Sequence, residues 1–288
     1  MPKMVTILGP TASGKTDLAI KLAKKYNGEI ICADSRTIYK EMDIGTAKPS
    51  VEEQKIVPHH LLDIASPDQT FNVADFKQLA LKRINDIHQR GNIPFLVGGS
   101  GMYIDAILFD YSFERENKPI NIDTQELSLE ELRSRVELEF PEIQLNNSDI
   151  NNPRRLEQIL SRGIVKSTDR TEQKIESLVL GIEVKIPIIK QNIALRTKSM
   201  LNKGFIQEVQ NIIQKYGDDC TQLQTIGYKE VLNYLQFNEQ ESLLEDQINT
   251  ATYKLAKKQT TWFKRNPNIV WIRDYEEAEG KVSDYLSL

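Results

Sequence analysis

The chain has 288 residues, with 37 Lys and Arg against 41 Asp and Glu, a net charge of −4. That length fits one large or two small domains, and the acidic balance excludes a generally basic nucleic-acid binder but not a local basic stripe. Its two cysteines, Cys32 and Cys220, exclude a disulfide framework or a cysteine-only zinc site, and no apolar run approaches the ~18 residues of a membrane span.

Val5 to Leu8 is a short β-rich run stopped by Gly9-Pro10, the pattern of a buried strand. A helical period follows from Lys15, with Leu18, Ala19, Leu22 and Tyr26 on one face and Asn27-Gly28 as its stop. Ile30 to Ala33 reads as a second strand ending at Asp34. A helix over 72–88 is predicted from Val73, Phe76, Ala80, Ile84 and Ile87, with Asn72 as cap. Ile93 to Val97 is the next strand, closed by Gly98-Gly99. Buried strands alternating with helices predict an α/β fold, a parallel sheet with helices outside it. Residues 113–175 carry no strand run and hold two short helical patterns, Leu127 to Phe140 and Arg154 to Leu160. They are expected to form a helical insertion in a core made of 1–112 and 176–288. Leu178 to Ile186 returns to β character. Helical periods then cover Leu195 to Tyr216, Lys229 to Leu235 and Glu245 to Lys264, before a last edge strand at Ile269 to Ile272.

Gly9-Pro10-Thr11-Ala12-Ser13-Gly14-Lys15-Thr16 matches G-x-x-x-x-G-K-[ST] between a strand and a helix, the context that gives the motif its meaning. Its backbone amides turn inward around an anion, and the helix dipole points at the same place. Lys15 adds a full charge, and the Thr16 hydroxyl is placed to ligate Mg²⁺. The loop itself does not say which diphosphate it holds. ATP is the default, yet the usual second Asp at an apolar strand end is missing, and Asp34 is the nearest strand-end carboxylate. Asp34-Ser35 is also a plain candidate for an Asx turn. His59-His60 lies on an extended segment, where adjacent side chains point to opposite faces, which disfavours a shared metal. Lys254, Lys257, Lys258, Lys264 and Arg265 fall in an acid-free stretch with Tyr253, Trp262 and Phe263 interleaved. That is either a solvated helix face or a phosphate-tracking stripe. Arg154-Arg155 is a smaller candidate of the same kind.

These residues also form a resemblance. The phosphate loop, Ala33-Asp34-Ser35 with Tyr39, Ile44-Gly45-Thr46-Ala47-Lys48-Pro49 and Pro58-His59-His60-Leu61-Leu62-Asp63 resemble blocks of the tRNA dimethylallyltransferases. So do Leu96-Val97-Gly98-Gly99-Ser100-Gly101-Met102-Tyr103, Ile226-Gly227-Tyr228-Lys229-Glu230 and Gln259-Thr260-Thr261-Trp262-Phe263, all in order along the chain. The insertion matches poorly beyond Asn152-Pro153-Arg154-Arg155-Leu156, and Tyr253-Lys254 stands where the family usually has Arg-Gln. The resemblance implies a P-loop core with a helical insertion contacting tRNA. It also implies transfer of a dimethylallyl group from its diphosphate to N6 of the adenosine 3′ of the anticodon. The expected partners are the anticodon stem-loop and dimethylallyl diphosphate, for a cytoplasmic monomer using Mg²⁺. By resemblance Arg196 helps hold the diphosphate.

Chemically, the adenine amine is a poor nucleophile. The reaction therefore needs a stabilised leaving diphosphate, from the loop amides, Lys15 and Mg²⁺ at Thr16. It also needs a general base, for which Asp34 is placed beside the loop. Ser100 is expected to orient the amine. Asp34, Ser35, Arg36 and Thr37 are expected to meet the RNA, with Arg154, Arg155, Lys254, Lys257 and Lys258 tracking phosphates. A small-molecule P-loop kinase and a non-catalytic nucleotide switch are the alternatives. The first requires ATP turnover, and the second requires a nucleotide-dependent conformation and no covalent product.

Overall fold

Residues 4–8 alternate no polar face with an apolar one; all five are buried, and such a strand is stable only inside a sheet covered on both sides. In the computed structural model, which describes residues 3–111, 127–141, 143, 145, 150–162, 173, 175–237 and 240–287, that strand is β1 (Met4–Leu8). It lies between β4 (Ile93–Gly98) and β5 (Ser177–Ile182), in register Val5↔Phe95 and Val5↔Leu178. β2 (Gly28–Ala33), β3 (His59–His60) and β6 (Val270–Ile272) complete a six-stranded, all-parallel sheet of order β3-β2-β4-β1-β5-β6. The chain leaves β1 towards one edge, returns to β4, and crosses to the other side at β5. The carboxyl end of β1 is therefore the topological switch point, where ligands bind in such sheets.

The helices of the early half follow from their caps and faces. α1 (Lys15–Lys25) begins at Gly14 and buries Ala19, Ile20, Leu22 and Ala23. It stops because Asn27 takes a left-handed φ of 51°, so Asn rather than the following glycine makes the turn into β2. α2 (Val51–Ile56) is one short helix with a Ser50–Glu53 capping box. α3 (Val73–Gln89) carries the predicted Asn72 cap, reciprocated by Asp75, and buries Phe76, Ala80, Ile84 and Ile87. Each large side chain on that face contributes about 1.5–3 kcal/mol by leaving water. α4 (Gly101–Leu108) follows β4 directly.

The predicted strand over 178–186 is too long at its end. β5 stops at Ile182, and α7 (Ile186–Asn202) starts with proline in its first turn, where a missing amide costs nothing. The predicted helix over 195–216 is two helices. α7 ends at Asn202 and α8 (Phe205–Tyr216) begins after Gly204, whose φ of 94° is open to glycine and not to residues with a β-carbon. A 3₁₀ turn (Thr221–Gln224), α9 (Tyr228–Phe237), α10 (Glu241–Phe263) and α11 (Tyr275–Ser287) complete this part.

The chain divides into two compact units, 1–110 with 170–288, and 111–169. In the first, one apolar cluster joins the sheet to α1 and to Ala278 and Val282 of α11. A second joins Ile38, Tyr39 and Met42, just past β2, to α8, α9 and α10. That second cluster buttresses the segment after Asp34. In the second unit, α5 (Leu129–Glu139) and α6 (Pro153–Arg162) meet through Leu132, Val136, Leu156 and Leu160. Among the described residues no helix is long and apolar enough to cross a membrane, and both cysteines are free and buried.

Candidate active site

The carboxyl ends of β1, β2 and β4 bring three loops together. The first is the phosphate loop. Gly14 has φ 82° and caps α1 without a side-chain hydrogen bond, so the first-turn amides face outward for an anion. Ser13 Oγ is buried with no hydrogen-bond partner, an orphan that a phosphate oxygen would satisfy. The second loop follows β2. Asp34 Oδ1 accepts from the Arg36 amide at 2.9 Å, so the Asx turn is present and it orients the carboxylate. The third follows β4. Ser100 Oγ accepts from the Ser35 amide at 2.9 Å and donates to Ser35 Oγ at 3.3 Å, pinning the tip of β2 to that of β4.

Gln259 of α10 ties two of these loops together. Its Oε1 accepts from the Thr11 amide at 2.8 Å and its Nε2 donates to the Gly99 carbonyl at 3.0 Å. Two α7 side chains hold the same loop from another side: Asn192 donates to the Ala12 carbonyl at 3.0 Å, and Arg196 to Thr11 Oγ1 at 3.3 Å. Arg196 also donates to the Thr46 carbonyl at 3.3 Å. Trp262 donates to Asp105 Oδ2 at 2.8 Å and forms part of the cleft wall.

The result is a cleft of about 400 Å³ lined by Thr11, Lys15, Asp34, Ser35, Arg36, Ser100 and Arg196, with Lys258 and Trp262 at its side. Its electrostatics are poised for an anion. Burial pushes the Lys15 ammonium down to about 8; the Asp34 carboxylate opposes that and the Arg196 charge adds to it. Burial likewise lowers Arg196, again opposed by Asp34. An anion between the two cations would favour the charged form of both. Among the described residues there is no group of three or more His, Cys, Asp and Glu able to cage a metal.

The expected site residues separate on this geometry. Gly9 to Thr16, Asp34, Ser35, Arg36, Ser100 and Arg196 gather at the sheet edge. Thr37 does not line that cleft: it is 5% exposed, with its Oγ1 unpartnered, and lines an adjoining pocket of about 70 Å³ that shares Lys15, Asp34 and Arg196 with the cleft. His59 and His60 diverge. His59 Nδ1 donates to the Val57 carbonyl at 2.8 Å, whereas His60 Nε2 meets Glu29 at 2.6 Å. Lys254, Lys257 and Lys258 are all exposed on α10. Lys258 borders the cleft, and Lys254 borders a separate groove with Glu230 and Asp246. Arg155 lies on α6; the Arg154 side chain falls outside the described residues. Gln259, Trp262, Asn192 and Asp105 had no role assigned from sequence. Only the first two lie in a block that resembles the family.

Comparison with known proteins gives a consistent result. Residues 37–266 match the family described as IPP transferase. A tRNA dimethylallyltransferase of Staphylococcus saprophyticus is 37% identical over 100% of this chain and 96% of its own. One from Oceanobacillus iheyensis is 36% identical over 94% and 90%. Among solved structures, a tRNA isopentenylpyrophosphate transferase from Bacillus halodurans superposes with TM-score 0.77 at 31% identity, covering 100% of this chain and 96% of that one. A eukaryotic dimethylallyltransferase acting on tRNA superposes with TM-score 0.79 at 26% identity, covering 99% and 78%.

Proposed function

The chain belongs to the tRNA dimethylallyltransferase family, which modifies tRNA by dimethylallyl transfer, and from that premise we propose how its cleft carries out the reaction. The donor is dimethylallyl diphosphate, seated on the phosphate loop. The acceptor is N6 of the adenosine beside the anticodon, entering from the open side of the cleft. One observation carries this reading: Asp34 shares a single cleft with Lys15 and Arg196, close enough to hold both cations towards their charged forms.

The residues divide the work. The first-turn amides of α1, Lys15 and Arg196 take up the charge that builds on the diphosphate as the C1–O bond breaks. Asp34 removes the N6 proton as the new C–N bond forms. Ser100 acts through Ser35, holding the turn that presents Asp34. Thr16, at the start of α1, is the side chain that would hold Mg²⁺ beside the diphosphate, and a bound ion would supply neutralisation of leaving-group charge. An anticodon-loop base is unpaired, so turning it into the cleft costs less than opening a duplex. Lys257, Lys258 and Arg155 supply phosphate contacts along the RNA.

The test offers unmodified tRNA with either labelled dimethylallyl diphosphate or ATP. Label appearing on tRNA, located to the adenosine beside the anticodon, is the expected result. ATP consumption with no label transfer would overturn the reading in favour of a kinase.

A further inference from the structure

Ile44-Gly45-Thr46-Ala47-Lys48-Pro49 and Ile226-Gly227-Tyr228-Lys229-Glu230 stand far apart in sequence, and nothing in the reaction above uses either block directly. In the fold they meet on Glu208 of α8. Its Oε2 accepts from the amides of Asp43 (2.9 Å) and Ile44 (2.7 Å), and its Oε1 from the amide of Gly45 (3.0 Å) and the Tyr228 hydroxyl (2.6 Å). Consecutive amides converging on one centre form a nest, which ordinarily takes an anion from solution. Here the protein fills the nest itself. The segment packs so closely that a β-carbon on Gly45 would sit 2.1 Å from the Phe205 ring and 2.6 Å from that of Tyr228. Those two rings meet edge to face at 5.0 Å. Lys48, its side chain 4% exposed, anchors the other end through the Tyr39 carbonyl, Asp43 and Asp63.

Between these two anchors stands Thr46, whose carbonyl accepts from Arg196. The second terminal nitrogen of Arg196, Nη1, donates to Thr11 Oγ1 of the phosphate loop. A guanidinium has five donors in a fixed plane, so two acceptors on two loops determine where that plane lies. We propose that Glu208 is a positioning residue for the diphosphate site: its carboxylate clamps the Asp43–Gly45 amides and thereby sets the Thr46 carbonyl that aims Arg196. The proposal rests on the reading of Arg196 as a diphosphate ligand.

Replacing the carboxylate by an amide turns one acceptor oxygen into a donor facing backbone amides, so Glu208→Gln breaks the clamp at little change in volume. Tyr228→Phe removes only one of its hydrogen bonds, and Glu208→Asp keeps the charge on a shorter stem. The measurement is steady-state kinetics of the full chain with tRNA transcript and dimethylallyl diphosphate, alongside tRNA affinity. With Glu208→Gln, KM for the diphosphate should rise about tenfold or more while tRNA affinity holds within about twofold; Glu208→Asp should recover part of the loss. Combined with Arg196→Ala, Glu208→Gln should add little, because the group it positions is already gone. If Glu208→Gln fails to fold, Tyr228→Phe takes its place in the same cycle, with a smaller rise expected. Additive effects on KM, or equal losses in tRNA affinity and diphosphate KM, would overturn the proposal. An unchanged KM in Arg196→Ala alone would instead remove Arg196 as a diphosphate ligand, and the clamp's purpose with it.

Discussion

At the scale of single residues, Asp34 carries the heaviest assignment. Its Asx bond to Arg36 engages one carboxylate oxygen, and both the turn and the cleft depend on the same side chain. Asp34→Asn preserves an acceptor oxygen for the turn and removes the basic site. The expected outcome is an intact fold, unchanged tRNA affinity, and turnover down roughly 10²–10⁴-fold; turnover near the parent value would take Asp34 out of the chemistry. Ser100, expected to orient the substrate amine, also accepts from the Ser35 amide and reaches Ser35 Oγ at 3.3 Å, which leaves its hydroxyl one further acceptor lone pair. Thr37, next to Arg36 of the cleft wall, is buried instead and lines the smaller pocket beside the cleft. A contiguous polar run such as Asp34 to Thr37 does not say which of its members face outward, since the turn at Arg36 ends any simple alternation.

Among the elements, α10 does two jobs on two faces. Gln259 and Trp262 face the cleft, whereas Lys254, Lys257 and Lys258 lie exposed. At ~100° per residue these lysines, with Lys264 just past the helix, fall within an arc of roughly 120°. If that face tracks RNA phosphates, affinity should fall steeply with salt. About four single-stranded contacts give a log–log slope near −3, and Lys257→Ala/Lys258→Ala should flatten it by ~1–1.5 for every tRNA alike. A titration showing the same slope for both proteins would reduce the stripe to a solvated face. The helices also show what sequence reveals. The phosphate loop was legible because eight consecutive residues carry it, and α3 because its face and cap are both local. The α7–α8 break was not. Leu201, Phe205, Val209 and Ile212 keep an i+4, i+4, i+3 rhythm straight across Gly204, so periodicity alone runs the two helices together. β3 has two residues and offers no period at all. The bonds of Gln259 and Glu208 span the fold, and no window of sequence contains both ends.

Over the whole molecule, chemistry and stability sit at opposite edges of the sheet. Glu29, near the start of β2 and 4% exposed, accepts from Arg90 at 2.7 and 3.0 Å, from Asn92 at 2.7 Å, and meets His60. Burial alone would raise its pKa, but these hydrogen bonds, Arg90 foremost, outweigh that and hold the carboxyl at about 2. A depressed carboxylate stabilises the fold above its ordinary pKa of 4.5, and that contribution is lost as pH falls towards 2. Glu29→Gln should therefore lower the midpoint of thermal unfolding by several degrees at pH 7, on the order of 2 kcal/mol, with a shrinking difference below pH ~4. Its kcat should stay at the parent value, because Asp34 lies roughly 16 Å further along the strand. A pH-independent difference would mean that the network acts by packing alone. The strand order has a consequence in time as well as space. β1 precedes the other described strands, yet one of its two neighbours, β5, begins only at Ser177, and Ala278 and Val282 of α11 cover the same core. During synthesis one edge of β1 stays open until the whole 111–169 unit has emerged. Closing the core then requires a long-range pairing and not local helix formation alone, the kind of contact that slows folding and leaves an apolar strand edge in need of protection until it forms.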